Sequence, residues 1–353
     1  MTASSGRATL KQVAERAGVS LATASRAING SGSRRVNADL AARVLRAAVD
    51  LDYVANVQAQ AMARGRTNVL GLIVSDIVDP YFASLAAGVM AEATANDCLV
   101  TLALSERIPE RERELVRMFG AQQVRGVVLA GSRGTDPKVS EALRQQVLTL
   151  EAAGARVVSI GQSTLGGDAV VIDNHGGAAD LARAMLDLGH RRFAILAGPD
   201  NLCTPRDRTA GFVETVVAAG CDEPIIVSSA FDRDGGLQAM NELLAMNGGM
   251  AMNGGTDSET GVTCVFAAAD ALAIGALTAC RQRGVRVPDD LSVVGFDDIP
   301  TLKDIHPHLT TLRLPMVEAG RAAASLALRR PDGRPRSIGI RGEVVLREST
   351  RSL

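Results

Sequence analysis

The sequence predicts a small all-α head followed by an α/β body of two doubly wound lobes. Three observations carry this. Two short helical patterns meet at Gly18, apolar β-branched runs alternate with helical stretches from residue 68 onward, and the alternation restarts near residue 169. Strands alternating with helices imply parallel sheets whose ligands bind beyond the carboxyl ends of the strands.

In the head, Thr9 with Gln12 fits a capping box, and Leu10, Val13, Ala14 and Ala17 then share one helical face. Gly18 supplies the sharp exit, Val19 turns inward, and Ser20 is placed to cap a second helix that carries Leu21, Ala22 and Arg26 outward. Asn37 can cap a third helix in which Leu40, Val44, Leu45, Ala48 and Leu51 follow the helical period and close a small core. This is helix-turn-helix geometry, in which the second helix enters the DNA major groove.

Charge agrees with that reading. Residues 1–66 hold ten Lys/Arg against four Asp/Glu, a surplus of +6 that leaves −7 for the rest of a chain whose net charge is −1. A basic head on an acidic body suits a phosphate-binding module joined to a ligand-binding one, although a solvated face would show the same surplus. The 353 residues allow two or three domains, and 46% hydrophobic residues exclude a mostly disordered chain.

No apolar run approaches the roughly 18 residues of a membrane span, and Met1 to Arg7 lack the apolar stretch of a signal peptide. The expectation is a cytoplasmic, nucleoid-associated protein with no membrane partner. Cys98, Cys203, Cys221, Cys264 and Cys280 show no C-x-x-C spacing and read as small core residues. His175, His190, His306 and His308 lack ligand spacing; His306 and His308, flanking Pro307, read as structural. Neither a metal nor a cofactor is expected.

In the body, strands are predicted at 68–74, 99–104, 126–130 and 157–160, separated by helices over 81–95, 108–123 and 137–153. A second series begins at Ala169-Val170-Val171-Ile172-Asp173-Asn174. It continues with strands at 193–199, 225–228, 262–267 and 291–296 and helices over 206–219, 235–244 and 271–283. The repeat Ala245-Met246-Asn247-Gly248-Gly249 and Ala251-Met252-Asn253-Gly254-Gly255 has no core-forming content, so 245–261 reads as a surface loop insertion. It lacks the G-K-[ST] and helix start of a phosphate-cradling loop.

The chain resembles the LacI/GalR family of bacterial transcription regulators. Val19-Ser20, Thr23, Ser25-Arg26, Asn29-Gly30, Val36, Tyr53, Asn56 and Arg64-Gly65-Arg66-Thr67 carry the resemblance in the head. Asp173-Asn174, Gly189-His190-Arg191-Arg192, Ala210-Gly211-Phe212 and Val293-Val294-Gly295-Phe296-Asp297-Asp298-Ile299-Pro300 carry it in the body, so that it runs from Leu10 to Ser349-Thr350. It implies a headpiece over 1–54, a hinge helix and linker over 55–67, and an effector domain resembling periplasmic sugar-binding proteins. The expected lobes are 68–169 with 299–330, and 170–298 with 331–353.

The resemblance also implies site residues. Arg26 can make bidentate bonds to a guanine edge, whereas Leu21 and Ala22, at the family's main base-reading positions, can only touch thymine methyls or exclude polar alternatives. Thr9, Ser20, Thr23, Ser25 and Asn29 would contact phosphates, with capping and turn formation as their ordinary roles. Asn56, Ala59 and Met62 lie in the segment that folds as a hinge helix on operator DNA, Met62 standing where the family wedges a leucine into the minor groove. Ala55, where a proline is usual, loosens that entry, and a plain linker is the competing reading.

For the effector, the resemblance points to Tyr81 and Phe82 as pocket walls, Phe231 as a stacking ring, Arg208 and Asp270 as ligand-bonding charges, and Asn201 and Thr204 as further contacts. Ala269 and Gly161-Gln162 depart from the family pattern, and Leu202 stands about where the purine-binding branch would want an arginine, which favours sugars over purines. The expected function is a repressor that binds pseudo-palindromic double-stranded operator DNA as a homodimer, with pairing into tetramers left open, under allosteric control by a sugar. The alternative is a sugar-binding protein of a transport system; the basic head and missing signal peptide argue against it. An enzyme is not expected: no G-x-S-x-G, P-loop or G-x-G-x-x-G is present, and Asp297 and Asp298, adjacent on a strand end, point apart.

Overall fold

At the head, Gln12 N donates to Thr9 Oγ1 at 3.3 Å and Thr9 N to Gln12 Oε1 at 2.8 Å, closing the capping box that starts α1 (Leu10–Ala17). Gly18 ends that helix with φ +62°, a conformation that costs glycine nothing and other residues strain. Ser20 Oγ accepts from Thr23 N at 3.2 Å as α2 (Leu21–Asn29) begins, and the Asn37 side chain accepts from Asp39 N ahead of α3 (Ala38–Asp50). Val13, Ala14, Ala17, Ala24, Val44 and Ala47 form the buried core, flanked by Leu10, Val19, Ile28, Leu51 and Tyr53. Leu45 departs from expectation: it is 52% exposed. Successive residues on a helix are about 100° apart, so with Val44 pointing into the core Leu45 is carried off the buried stripe.

The computed structural model describes residues 8–29, 36–53, 66–246, 261–329 and 334–353. The hinge positions Asn56, Ala59 and Met62, and nearly all of the predicted loop insertion over 245–261, lie outside them. The chain divides into two compact units, Met1–Asn68 with Gln122–Arg125, and Val69–Ala121 with Gly126–Leu353.

Among the described residues, the second unit holds two sheets of six strands. In the first, β1 (Val69–Val74), β2 (Leu99–Leu104), β3 (Gly126–Ala130), β4 (Arg156–Gly161), β5 (Asp168–Ile172) and β11 (Ser337–Ile340) run in the order β11-β5-β4-β3-β1-β2, every pair parallel. In the second, β6 (Phe193–Ala197), β7 (Ile225–Ser228), β8 (Cys264–Ala267), β9 (Ser292–Asp297), β10 (Thr310–Arg313) and β12 (Glu343–Val345) run β12-β10-β9-β8-β6-β7, antiparallel only at β12. Helices pack on both faces of each sheet, α4 (Pro80–Ala95) and α11 (Met316–Leu328) covering one face of the first. A Cβ added at Gly88 would stand 2.0 Å from Val317 O and one at Gly320 2.1 Å from Leu85 O, so two glycines let these helices touch backbone to backbone.

The expected lobe boundaries need correction. β5, expected to open the second lobe, pairs with β4 in the first, because residues 162–167 return the chain without a helix. Residues 299–313 stay in the second lobe, ending in β10, and β11 returns to the first. The chain therefore passes between lobes three times, after β5, after β10 and between β11 and β12.

Candidate functional site

Each sheet reverses its strand order once, between β1 and β3 and between β6 and β8, and the loops at such points splay apart to leave a crevice. A pocket of about 40 Å³ lies there between the lobes. Ser75 and Asp79 reach it from beyond β1, Gly131 and Ser132 from beyond β3, Asp297 from the end of β9, and Leu202, Thr204 and Arg208 from the second lobe. Tyr81 and Phe82 wall it with rings edge to face at 5.1 Å, and Phe231 faces it from the other lobe.

Arg208 organises the floor. Its Nε donates to Asn174 Oδ1, its Nη1 to Ala268 O and its Nη2 to Asp297 Oδ1, each at 2.8 Å, with the guanidinium carbon 3.8 Å above the Phe296 ring centroid. Three of the five N–H groups of the guanidinium are thus committed to the protein. Burial pushes the Asp297 carboxyl up to about 7, against the pull of Arg208. Its backbone adopts φ +122°, strain of a kind that persists only where the surroundings hold it in place. Burial likewise raises the Asp79 carboxyl and the Tyr81 phenol.

The lobes are joined around this pocket by a polar seam. Thr135 N donates to Asn201 O at 2.9 Å and Cys203 N to Arg133 O at 2.8 Å. Thr204 N donates to Ser132 Oγ at 2.9 Å, Gln162 Nε2 to Thr204 Oγ1 at 3.1 Å, and Arg107 Nη2 to Phe231 O at 3.2 Å. Beyond Phe231 and Asp79 the cleft continues into an outer space of about 590 Å³ lined by Asp76, Asp232, Arg233, Ile299 and Ile305.

Of the expected effector residues, Tyr81, Phe82, Thr204, Arg208 and Phe231 line the pocket. Asp270 does not. It is wholly buried, accepting from Ile299 N at 2.9 Å and from Thr311 Oγ1 at 2.7 Å, and its neighbour Ala269 meets the cavity instead. Burial raises its carboxyl to about 6. Asn201 lines an adjoining chamber of about 120 Å³ beside Arg133, Glu112 and Ser105. The sequence reading missed Asp297, Asn174, Asp79 and Ser132 as pocket residues, although Asp297 ends β9 and the other three follow the carboxyl ends of β5, β1 and β3, where ligands gather. Asp297 and Asp298 do point apart, the latter to Arg313 at 2.7 Å and Arg347 at 2.7 Å.

In the head, Leu21, 52% exposed, and Ala22 project from the start of α2, with Thr23, Ser25 and Arg26 half-buried behind them. Arg26 Nε rests on Ala22 O at 3.1 Å, and Ser20 and Thr23 share a hydroxyl hydrogen bond of 2.9 Å. Thr9 and Ser20 are both exposed. The described stretch of α2 thus presents two apolar side chains and one guanidinium.

Comparisons with known proteins agree with both halves. Residues 9–56 match the lacI family of bacterial regulatory proteins, and residues 182–350 match a periplasmic binding protein-like domain. The HTH-type transcriptional regulator CelR of Thermobifida fusca is 32% identical over 97% of this chain and 98% of its own. The HTH-type transcriptional repressor CytR of Escherichia coli (strain K12) is 30% identical over 98% of this chain and 97% of its own. The solved structure described as a transcriptional regulator CelR-cellobiose complex, 30% identical, superimposes with a TM-score of 0.68 over 97% of this chain and 100% of its own. These relatives are transcription regulators rather than enzymes or transport proteins. With a helix-turn-helix head and a two-lobed body matched over nearly its whole length, the chain belongs to the lacI family of bacterial regulatory proteins and is a DNA-binding transcriptional regulator.

Proposed function

We propose that the protein is a repressor whose affinity for operator DNA is set by a neutral sugar held between the lobes. The carrying observation is the lining of the inner pocket. Two carboxylates, Asp79 and Asp297, stand against two guanidinium groups, Arg107 and Arg208, among hydroxyls of Ser75, Ser132 and Thr204 and three aromatic rings. Paired donors and acceptors suit adjacent hydroxyls, and aromatic faces suit the apolar side of a sugar ring. The family likeness to a regulator solved with cellobiose supports the same class.

Repression follows the same logic. A pocket of about 40 Å³ holds two or three waters rather than a sugar ring, and on this reading seating a ligand in it parts the lobes and breaks the Thr135–Asn201 and Ser132–Thr204 contacts. Ligand and DNA then favour different lobe angles, and their affinities are reciprocally coupled. One headpiece reads one half-site, so the functional form is a homodimer on a pseudo-palindromic operator, Arg26 being the principal base reader and Met62 the groove wedge.

A thermal-unfolding screen of the full chain against neutral mono- and disaccharides, sugar phosphates and nucleosides tests this. A cognate sugar at 100 times its Kd should stabilise by about 2.7 kcal/mol and release operator DNA in a mobility-shift assay. Stabilisation by nucleosides or sugar phosphates alone would overturn the ligand class; tighter DNA binding with sugar would overturn release.

A further inference from the structure

Away from the cleft, the loop between the 3₁₀ turn (Pro300–Asp304) and β10 carries His306 and His308, and the segment after β12 carries Glu348. Both backbones are anchored. Ser349 N donates to His308 O at 2.9 Å, Thr310 N to Ser349 Oγ at 2.8 Å, and Ser349 Oγ to Val293 O at 2.6 Å, so the loop and the C-terminal segment are fastened to the sheet and to each other. His308 Nδ1 lies 2.9 Å from Glu348 Oε2, and the two imidazole rings meet edge to face with centroids 4.5 Å apart. One donor atom from each of His306, His308 and Glu348 lies within 4.8 Å of the others, and all three residues reach solvent.

We propose that His306, His308 and Glu348 bind one divalent transition-metal ion of the zinc, nickel or copper class. Donors bound at about 2.0–2.2 Å in a tetrahedron stand roughly 3.4 Å apart, so the widest separation, at most 4.8 Å, must close by no more than about 1.4 Å, while His308 Nδ1 and Glu348 Oε2, at 2.9 Å, open by about half an ångström. Two imidazoles with one carboxylate select this class over magnesium and calcium, which take oxygen ligands. The ion replaces the proton between His308 Nδ1 and Glu348, and solvent completes its coordination. Spacing in sequence concealed the site, because its carboxylate comes from 40 residues beyond His308. An ion here clamps the loop whose Ile305 lines the outer cleft to the C-terminal segment.

Equilibrium dialysis of the untagged full-length protein against zinc chloride, with copper(II) electron paramagnetic resonance as the second readout, tests the site. The expected result is one zinc equivalent and nitrogen hyperfine lines from two imidazoles. Zinc affinity should fall at least about tenfold in H306A, H308A and E348Q, and the equivalent should disappear in H306A/H308A, with circular dichroism unchanged. Excess magnesium should not displace the ion. Zinc binding that is absent in the wild type, or that survives undiminished in the folded double variant, overturns the proposal.

Discussion

Arg208 and Asp297 form an ion pair of 2.8 Å between side chains that are 2% and 7% exposed. Truncating one member leaves the other charge buried alone, so Asp297→Ala should cost about 3–5 kcal/mol, whereas replacing both by apolar residues of similar size should cost less. Urea unfolding at pH 8 distinguishes the two. The carboxyl is raised by burial to about 7, so the folded state holds a proton that the unfolded state has released, and this contribution to stability falls as pH rises from about 4 to about 7. Asp297→Asn should remove that part of the slope; an unaltered slope would place it elsewhere.

Asp270 is predicted to act on the pocket through the backbone. Asp270→Ala strands Ile299 N and Thr311 Oγ1, and should lower stability of the ligand-free protein by about 1–3 kcal/mol. Differential scanning fluorimetry without ligand reads this directly. A variant as stable as the wild type that no longer responds to sugar would instead put the carboxylate on the ligand.

Arg26→Ala should relax base discrimination at one position per half-site by about 1–3 kcal/mol while leaving other positions unchanged. A mobility-shift series over operators substituted one base pair at a time measures it. A uniform loss at every position would reassign Arg26 to phosphate contact.

His190 gives the acid side of the stability profile. Wholly buried, it shares hydrogen bonds of 3.0 Å with Thr263 Oγ1 and 3.1 Å with Arg351 O, and burial lowers its imidazole to about 4. The unfolded chain therefore takes up a proton near pH 6.5 that the folded one refuses, and stability falls as pH drops from about 6.5 to about 4. His190→Gln should be less stable than the wild type at pH 7 but lose less on going to pH 5, by denaturant unfolding at the two values.

Much of this was legible in the sequence where the determinants are local. Thr9 with Gln12, Gly18 and Asn37 mark helix ends because a cap is decided within three or four residues. Leu45 was misplaced because Val44 and Leu45 are both apolar and only one can face the core. The lobe boundary was missed because a parallel return without a helix, over residues 162–167, looks the same as the start of a new series. At the pocket, Tyr81, Phe82, Thr204, Arg208 and Phe231 were readable from motif positions. Choosing between Asp270 and Asp297 was not: the choice depends on Ile299 and Thr311 closing over Asp270, contacts 29 and 41 residues away.

The three passages between lobes carry a practical consequence for anyone rebuilding the protein. Neither lobe corresponds to one stretch of gene, since the first is assembled from Val69 to Ile172, the α11 segment and β11. Exchanging a lobe with a relative therefore requires three matched splices, and cutting the chain once after β5 leaves the N-terminal fragment without β11, the edge strand of its sheet.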